Sequence, residues 1–121
     1  MNNSFQELHQ AVTNDRKYSV WSQQKNLAER VTFLQEEVQE LIEAIEKEDL
    51  QNIKEELGDV MWVTMALVAL AEEKKMFTVQ EMFSATLAKI KQRKPWIFMG
   101  QKVSLEEEVK RWKEIKQKRQ K

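Results

Sequence analysis

Cysteine is absent from the chain, and glycine, proline and histidine are scarce, with two, one and one copies in 121 residues. Without cysteine there is no disulfide framework, and this usage fits a cytoplasmic protein. Few glycines and prolines, with abundant glutamate, lysine, glutamine, leucine and alanine, predict an all-α fold. The length suits a single domain over residues 1–121 with a modest core.

Long apolar runs are also missing. The longest covers residues 60–71, which is too short to span a bilayer and predicts a buried helix. The first ten residues are polar and lack the basic and then apolar layout of a signal peptide. The chain also has no glycine-rich phosphate loop and no zinc-type ligand spacing. We therefore expect no membrane partner.

Neither sign of charge is in excess overall, but the two signs are unevenly placed. Residues 1–85 carry 8 basic and 16 acidic residues, whereas residues 86–121 carry 12 basic and 4 acidic residues. An acidic body with a basic end suits a metal ion and a polyphosphate. The alternatives are a basic tail that pairs with the acidic body and a weak nucleic-acid patch; we expect no nucleic acid.

Acidic residues repeat in one short pattern. Glu36-Glu37-x-x-Glu40 returns nineteen residues later as Glu55-Glu56-x-x-Asp59. In a helix, residues three apart lie on one face, so the last two acids of each pattern project together. Residues 46–49 are polar and predict a short turn between antiparallel helices. Glu40 and Glu56 are equally far from that turn, as are Glu37 and Asp59, so all four carboxylates can converge.

Carboxylates gathered beside apolar side chains repel one another unless a cation joins them. Between residues 36 and 59 only two lysines oppose ten acids. Oxygen ligands without histidine or cysteine suit Mg²⁺ or Mn²⁺. The sequence therefore predicts a metal site, whose ligands are Glu37, Glu40, Glu56 and Asp59. The alternative is a solvated acidic face stabilised by neighbouring lysines.

Hydrophobic periodicity predicts an antiparallel bundle of four to five helices. The expected helices cover residues 4–15, 23–47, 50–74, 79–94 and 104–117. Capping-box patterns that begin at Ser4, Thr78 and Ser104 mark three of the helix starts. Residues 16–22 and 96–100 are expected to be connections without helix.

The third predicted helix is apolar on every side from residue 60 to residue 71. Such a helix needs cover all round, which one hairpin and two further helices can hardly provide. We therefore expect an oligomer, either a homodimer or a dimer of dimers. The second predicted helix carries a 4-3-4-3-4 apolar seam, which would equally suit a coiled coil or a docking module without enzymatic activity.

The acidic repeat resembles the signature of MazG-type nucleoside triphosphate pyrophosphohydrolases, members of the all-α NTP pyrophosphatase superfamily. Trp21 lies sixteen residues before Glu37, where the family carries the tryptophan of a Cys-Pro-Trp-Asp motif. Further segments resemble the family's Phe-Thr, Arg-His-Pro-x-x-Phe and closing-helix segments. They are Phe77-Thr78, Lys89, Arg93-Lys94-Pro95-x-x-Phe98, Glu107-Glu108-Val109 and Trp112-x-x-Ile115-Lys116. The resemblance spans nearly the whole chain.

The resemblance implies hydrolysis of a nucleoside triphosphate between its α- and β-phosphates, for housekeeping of the nucleotide pool. It implies that the four acids hold one or more Mg²⁺ ions and that Glu36 or a non-ligating carboxylate accepts the proton of water. It also implies a set of substrate contacts, which comprises Trp21, Lys89, Arg93, Trp112 and Lys116. Their ordinary alternatives are a packed corner for Trp21, a solvated face for Lys89 and Arg93, and a core position for Trp112.

The chain departs from the family pattern beside the expected base and sugar. The Cys-Pro-Trp-Asp motif reads Ser19-Val20-Trp21-Ser22, and the Gln-Thr-His motif reads Lys25-Asn26-Leu27. These changes leave the preferred nucleotide open and keep a dCTP- or dUTP-directed pyrophosphatase of the same superfamily as an alternative. We further expect the basic segment to fold over the acidic hairpin.

Overall fold

The structure is a computed structural model that describes residues 3–119. This part of the chain forms seven helices and no strand, which confirms the all-α prediction. The helices are α1 (Ser4–Tyr18), α2 (Val20–Gln23), α3 (Leu27–Glu46), α4 (Leu50–Glu73), α5 (Val79–Arg93), α6 (Pro95–Phe98) and α7 (Leu105–Arg119). None of the helices described has the length and apolar character needed to cross a membrane.

The chain divides into two compact units, Met1–Val79 and Gln80–Lys121. In the first unit α3 packs along α4, and α1 packs against α4 and α2. The second unit contains nearly all of α5, together with α6 and α7. That residues 1–121 form a single domain stays a prediction.

The first helix is longer than the sequence predicts. It begins at Ser4 with Asn3 as its N-cap, so Ser4 is the first helical residue and the expected cap is wrong by one position. It continues to Tyr18 and not only to residue 15. Arg16 lies in the last turn, where its positive charge interacts favourably with the helix dipole. It also forms an ion pair with Glu73 of α4 at 2.7 Å, which ties the end of α1 to α4.

Residues 16–22 are not the irregular connection that we expected. After α1 the chain enters α2, a single helical turn that includes Trp21. Ser19 causes this turn, because its side-chain oxygen accepts a hydrogen bond from the Ser22 amide at 3.2 Å. Trp21 therefore projects from a capped turn.

The start of α3 is set by a cap that the hydrophobic pattern does not show. The Asn26 side chain accepts from the Glu29 amide at 2.8 Å, and the Glu29 carboxylate accepts from the Asn26 amide at 3.1 Å. This reciprocal capping box begins α3 at Leu27, so the predicted start at residue 23 is wrong.

The turn between α3 and α4 lies where the sequence predicts it. Glu48 adopts a positive φ of 54°, which reverses the chain within three residues. Asp49 then caps α4, because its side chain accepts from the Asn52 amide at 3.2 Å. So short a connection makes α3 and α4 antiparallel neighbours.

The second unit contains one helix that the sequence pattern does not reveal. Residues 95–98 form α6, which Pro95 begins and in which Trp96 is buried against the Arg111 guanidinium. The expected connection over residues 96–100 is therefore partly helical. Ser104 caps α7 as predicted, by accepting from the Glu107 amide at 3.1 Å, and α5 begins directly after Thr78.

The buried core within residues 3–119 is thin. Its apolar members are Val12, Ala44, Ala66, Leu70, Ala71 and Trp96. Large apolar side chains on α3, α4 and α5 stay exposed, among them Ile45, Met61 and Phe83. Apolar surface on this scale is typical of a face that another chain covers. That the protein is an oligomer stays a prediction.

Candidate functional site

Three carboxylates meet where α3 faces α4. One oxygen from each of Glu37, Glu56 and Asp59 lies within 4.8 Å of the other two. Glu37 and Glu56 are half-buried, and Asp59 is exposed. Because the turn at Glu48 is short, residues equally far from it along the two helices lie side by side. The spacing in the sequence therefore anticipated this grouping.

The carboxylates strongly influence one another. Burial raises the pKa of Glu37 most, followed by the negative charge of Glu40. The negative charge of Asp59 raises it further. Burial, followed by contacts with Glu40 and Glu37, raises the pKa of Glu56 to about 7. One oxygen each of Glu37 and Glu56, the Oε2 atom, is buried and accepts no hydrogen bond from the part of the chain that the structure describes.

These features fit a divalent cation. Burying an ionised carboxylate oxygen that has no hydrogen-bond donor costs free energy. A bound cation removes this cost without protonation of the carboxylate. A set made only of carboxylate oxygens is the type that Mg²⁺ and Mn²⁺ prefer. The three residues that the structure groups could hold the ion directly: Glu37, Glu56 and Asp59.

Glu40 and Glu36, the other two acids that the sequence suggests for the site, do not join this group. Glu40 is exposed, yet its carboxylate is close enough to act on the pKa values of both Glu37 and Glu56. It is not among the three residues whose oxygens all lie within 4.8 Å. Glu36 is exposed on α3. That Glu40 is a ligand and that Glu36 is a base stay predictions.

An aromatic pair lies near the carboxylates in the same unit. The Trp21 ring contacts the Phe33 ring, with centroids 5.3 Å apart. Phe33 lies four residues before Glu37 on α3, a rise of about 6 Å along the helix. Trp21 is 53 % exposed, and Lys25 Nζ lies 5.1 Å from its ring centroid. An exposed ring with a cation beside it can stack a nucleobase.

Sequence reasoning missed a buried arginine beside this pair. Arg30 is 3 % exposed, and its Nη2 atom donates to the hydroxyl of Ser22 at 2.6 Å. Its guanidinium carbon lies 6.0 Å from the centroid of the Trp21 ring. Spacing shows that residues 30, 33 and 37 share one stripe of α3, but it gives no sign that Arg30 is buried.

The expected phosphate contacts lie in the second unit. Lys89 and Arg93 are half-buried, so a fully solvated face is excluded for them, and Arg93 Nε is buried without a hydrogen-bond acceptor among the described residues. Trp112 is 45 % exposed, so it is not a core residue, and Lys116 Nζ lies 4.8 Å from its ring centroid. That these four approach the acidic group stays a prediction.

Comparison with known proteins gives this arrangement a family. The model of the MazG nucleotide pyrophosphohydrolase domain matches residues 24–98. The chain belongs to this family. The matched range contains all six acids of the repeat together with Lys89 and Arg93, whereas Trp21, Trp112 and Lys116 lie outside it.

Individual relatives agree with the family match. A nucleoside triphosphate pyrophosphohydrolase of Escherichia coli K12 is 28 % identical over 97 residues, which cover 79 % of this chain and 37 % of that protein. The MazG pyrophosphohydrolase of Thermotoga maritima is 31 % identical over 96 residues, which cover 79 % and 36 % of the two chains. This chain spans 20–37 % of the length of the curated relatives that it matches.

A solved structure supports the fold over almost the whole chain. The crystal structure of a MazG-related protein from Thermotoga maritima superposes with a TM-score of 0.87 at 30 % identity. The alignment covers 93 % of this chain and 98 % of that one. The MazG-like helical fold predicted from the sequence is thereby confirmed.

Proposed function

We propose that this MazG-family chain hydrolyses a nucleoside triphosphate between the α- and β-phosphates. One water is consumed, the α–β anhydride bond breaks, and the products are a nucleoside monophosphate and pyrophosphate. One observation carries the proposal: oxygens of Glu37, Glu56 and Asp59 lie within 4.8 Å of one another between α3 and α4. The family match supports the reaction class.

The ion that we propose for this group is Mg²⁺, with Mn²⁺ as a substitute. When bound, it neutralises phosphate charge and increases the acidity of water. Glu37, Glu56 and Asp59 would hold it, and Glu40, which already acts on two of them, is the expected fourth ligand. The ligands bring negative charge to the site, so the protein has to supply cations for the rest of the triphosphate.

A carboxylate that does not bind the ion is the proposed proton acceptor. Glu36 is exposed on α3, directly before Glu37, and is available to water. A carboxylate within hydrogen-bond reach of the attacking water can accept its proton. Glu36 therefore takes the proton of the attacking water in our proposal.

Substrate binding is assigned to aromatic and basic side chains. Trp21 stacks the base, and Lys89 and Arg93, four apart on α5, bind the phosphates that the ion does not neutralise. Trp112 and Lys116 close over the nucleotide.

Assembly as a homodimer or a dimer of dimers covers the apolar surface of α4. Nothing in this proposal involves nucleic acid or a membrane.

A nucleotide screen with matched carboxylate variants tests the proposal. Pyrophosphate release is measured for the eight common nucleoside triphosphates with saturating Mg²⁺, for the unaltered protein and for Glu40→Gln, Asp59→Asn and Glu55→Gln. We expect release from at least one nucleotide, and we expect Glu40→Gln and Asp59→Asn to abolish it while the fold survives. Removing one repelling carboxylate leaves the metal-free protein equally stable or more stable.

Glu55→Gln is the matched control. Glu55 is exposed beside Glu56, outside the carboxylate group, and its carboxylate accepts from Gln51 at 3.3 Å. We expect it to retain full activity. Full activity in either purified site variant would remove the carboxylate assignment, and the absence of release from every nucleotide would remove the proposed reaction.

A further inference from the structure

Arg30 lies on the same stripe of α3 as the proposed site. Residues 30, 33 and 37 follow a 3-4 spacing, so Arg30, Phe33 and Glu37 project from one side of the helix. The stripe extends over about 10 Å from Arg30 to Glu37. It presents, in order, a guanidinium beside Trp21, an aromatic ring in contact with Trp21, and a carboxylate of the acidic group.

Arg30 is an unusual residue to bury at this position. It donates from Nη2 to the Ser22 hydroxyl at 2.6 Å and to the Ser22 carbonyl at 3.1 Å, and Ser22 itself is fully buried. Its Nε atom has no acceptor within residues 3–119, and no carboxylate in that range forms an ion pair with it. Asp15 and Glu73 act on it only through their charge.

A second guanidinium converges on the same carbonyl. Arg16 donates to the Ser22 carbonyl oxygen and forms two hydrogen bonds with Glu73, at 2.7 and 3.1 Å. Burial and the charge of Arg16 lower the pKa of Arg30. Taking a guanidinium out of water costs free energy that its hydrogen bonds have to offset, so an arginine is a costly residue to bury at this position.

The group that this network holds is α2. A helix of four residues is too short to be stable by its own hydrogen bonds. The contacts from Arg30 and Arg16 end on Ser22, which directly follows Trp21 in the chain. Fixing Ser22 therefore fixes the backbone from which the Trp21 ring projects toward Phe33.

We propose that Arg30 is a positioning residue for the nucleobase. Through Ser22 it holds Trp21 against Phe33, so that a base stacked on Trp21 lies at a set distance from the carboxylates, with the ribose between them. The inference rests on the proposed function, because the ligand it names is the base of the nucleoside triphosphate. It assigns Arg30 no contact with the phosphates.

Kinetics of Arg30 and Ser22 variants test the inference. Arg30→Met is expected to raise KM about tenfold with kcat and Mn²⁺ affinity nearly unchanged, and Arg30→Lys to restore part of the loss. Ser22→Ala removes only the hydroxyl that Arg30 bonds and should raise KM several-fold without endangering the fold. In a Trp21→Ala background the effect of Arg30→Met on KM should vanish, because Arg30 acts only through that ring.

A measurement without substrate separates this inference from the proposed function. The protein is labelled with 5-fluorotryptophan, and Trp21→Phe assigns the Trp21 line in the ¹⁹F spectrum. Arg30→Met and Ser22→Ala should shift and broaden that line and leave the other three tryptophan lines in place. This result holds whether or not the protein hydrolyses any nucleotide.

Lys17→Met is the matched control. Lys17 Nζ lies 5.3 Å from the ring centroid of the exposed Tyr18, so this variant removes a cation from an aromatic ring three residues before Trp21. We expect neither KM nor the Trp21 line to change. The inference is overturned if Arg30→Met and Ser22→Ala leave the Trp21 line in place, or if the KM effect of Arg30→Met persists in the Trp21→Ala background.

Discussion

At the scale of single residues, Glu56 is the group that we expect to make the stability of the protein depend on pH. Its pKa in the folded protein is about 7, compared with an ordinary value of 4.5. Between these values the folded protein binds more protons than the unfolded chain, so the contribution of Glu56 to the free energy of unfolding falls as pH rises. Below pH 4.5 Glu56 is protonated in both states and does not lower the free energy of unfolding. Above pH 7 it is ionised in both states, and the loss of stability is complete.

The pH prediction is tested by urea unfolding in EDTA between pH 4.5 and 8. Glu56→Gln cannot titrate, so the difference in stability between Glu56→Gln and the unaltered protein should increase through this window and level off above pH 7. Saturating Mn²⁺ should reduce the difference by stabilising the ionised carboxylates. A difference that stays constant over the whole range would contradict the raised pKa.

Arg93 is the residue of the basic segment that we expect to affect turnover most. It is half-buried with an Nε atom that has no acceptor among the described residues, so a phosphate oxygen is a suitable partner. Arg93→Ala should lower kcat/KM by about 10²-fold, roughly 2.7 kcal/mol, as expected for a charged transition-state contact. Trp112→Ala should act mainly on KM.

Steady-state kinetics with saturating metal measure both variants. Lys91→Ala is the control on the same helix, because Lys91 Nζ lies 5.6 Å from the Phe98 ring centroid and is assigned no substrate contact. Unchanged turnover in Arg93→Ala would mean that α5 only supports the fold.

The residues that the sequence could predict are those whose role follows from spacing. Glu37, Glu56 and Asp59 are brought together by two helical periods and a short turn, all of which are visible in the chain. Arg30 could not be found in this way, because its burial depends on Ser22. That hydroxyl lies in a turn that hydrophobic periodicity does not reveal.

At the scale of elements, α3 positions the site and Asn26 determines where it begins. Asn26→Ala removes one half of the capping box and should cost about 1 kcal/mol of unfolding free energy. Asn14→Ala is the matched control, because Asn14 is exposed within α1, where alanine is the better helix former. Urea unfolding should show a lower midpoint for Asn26→Ala and an equal or higher one for Asn14→Ala. Equal midpoints for both variants would contradict the capping assignment.

The same cap shows why element boundaries were harder to predict than the elements themselves. The five longer helices follow from periodicity and agree in order with the expectation. The existence of α2 depends on the Ser19 side chain, and the start of α3 depends on the Asn26 side chain. Both side chains bind backbone amides that would otherwise be available to a continuous helix. Such local competition produces no period in the sequence.

At the scale of the whole molecule, the exposed apolar surface predicts assembly. We expect at least a dimer at micromolar concentration, with residues 60–71 of α4 partly buried against another copy. Trp62→Glu should dissociate or unfold the protein, since it places an unpaired charge in that contact. Leu50→Glu makes the same change at the start of α4, outside residues 60–71 that we expect the partner to cover, and should leave the assembly intact; the Leu50 side chain is 81 % exposed.

Sedimentation velocity measures both variants and the unaltered protein. A stable monomer of the unaltered protein at micromolar concentration would contradict the expected oligomer. This expectation comes from the sequence, in which residues 60–71 form an apolar segment that one chain can hardly cover. It did not show which surface of a partner provides the cover, because that surface depends on the packing of two folded chains.

We propose that the carboxylate group between α3 and α4 serves hydrolysis at the α–β bond. ³¹P NMR of a nucleoside triphosphate incubated with the protein and Mg²⁺ tests it most directly, with Asp59→Asn and Glu55→Gln run in parallel. We expect monophosphate and pyrophosphate signals for the unaltered protein and for Glu55→Gln, and no turnover for Asp59→Asn. Release of diphosphate and inorganic phosphate, or equal turnover in Asp59→Asn, would contradict it.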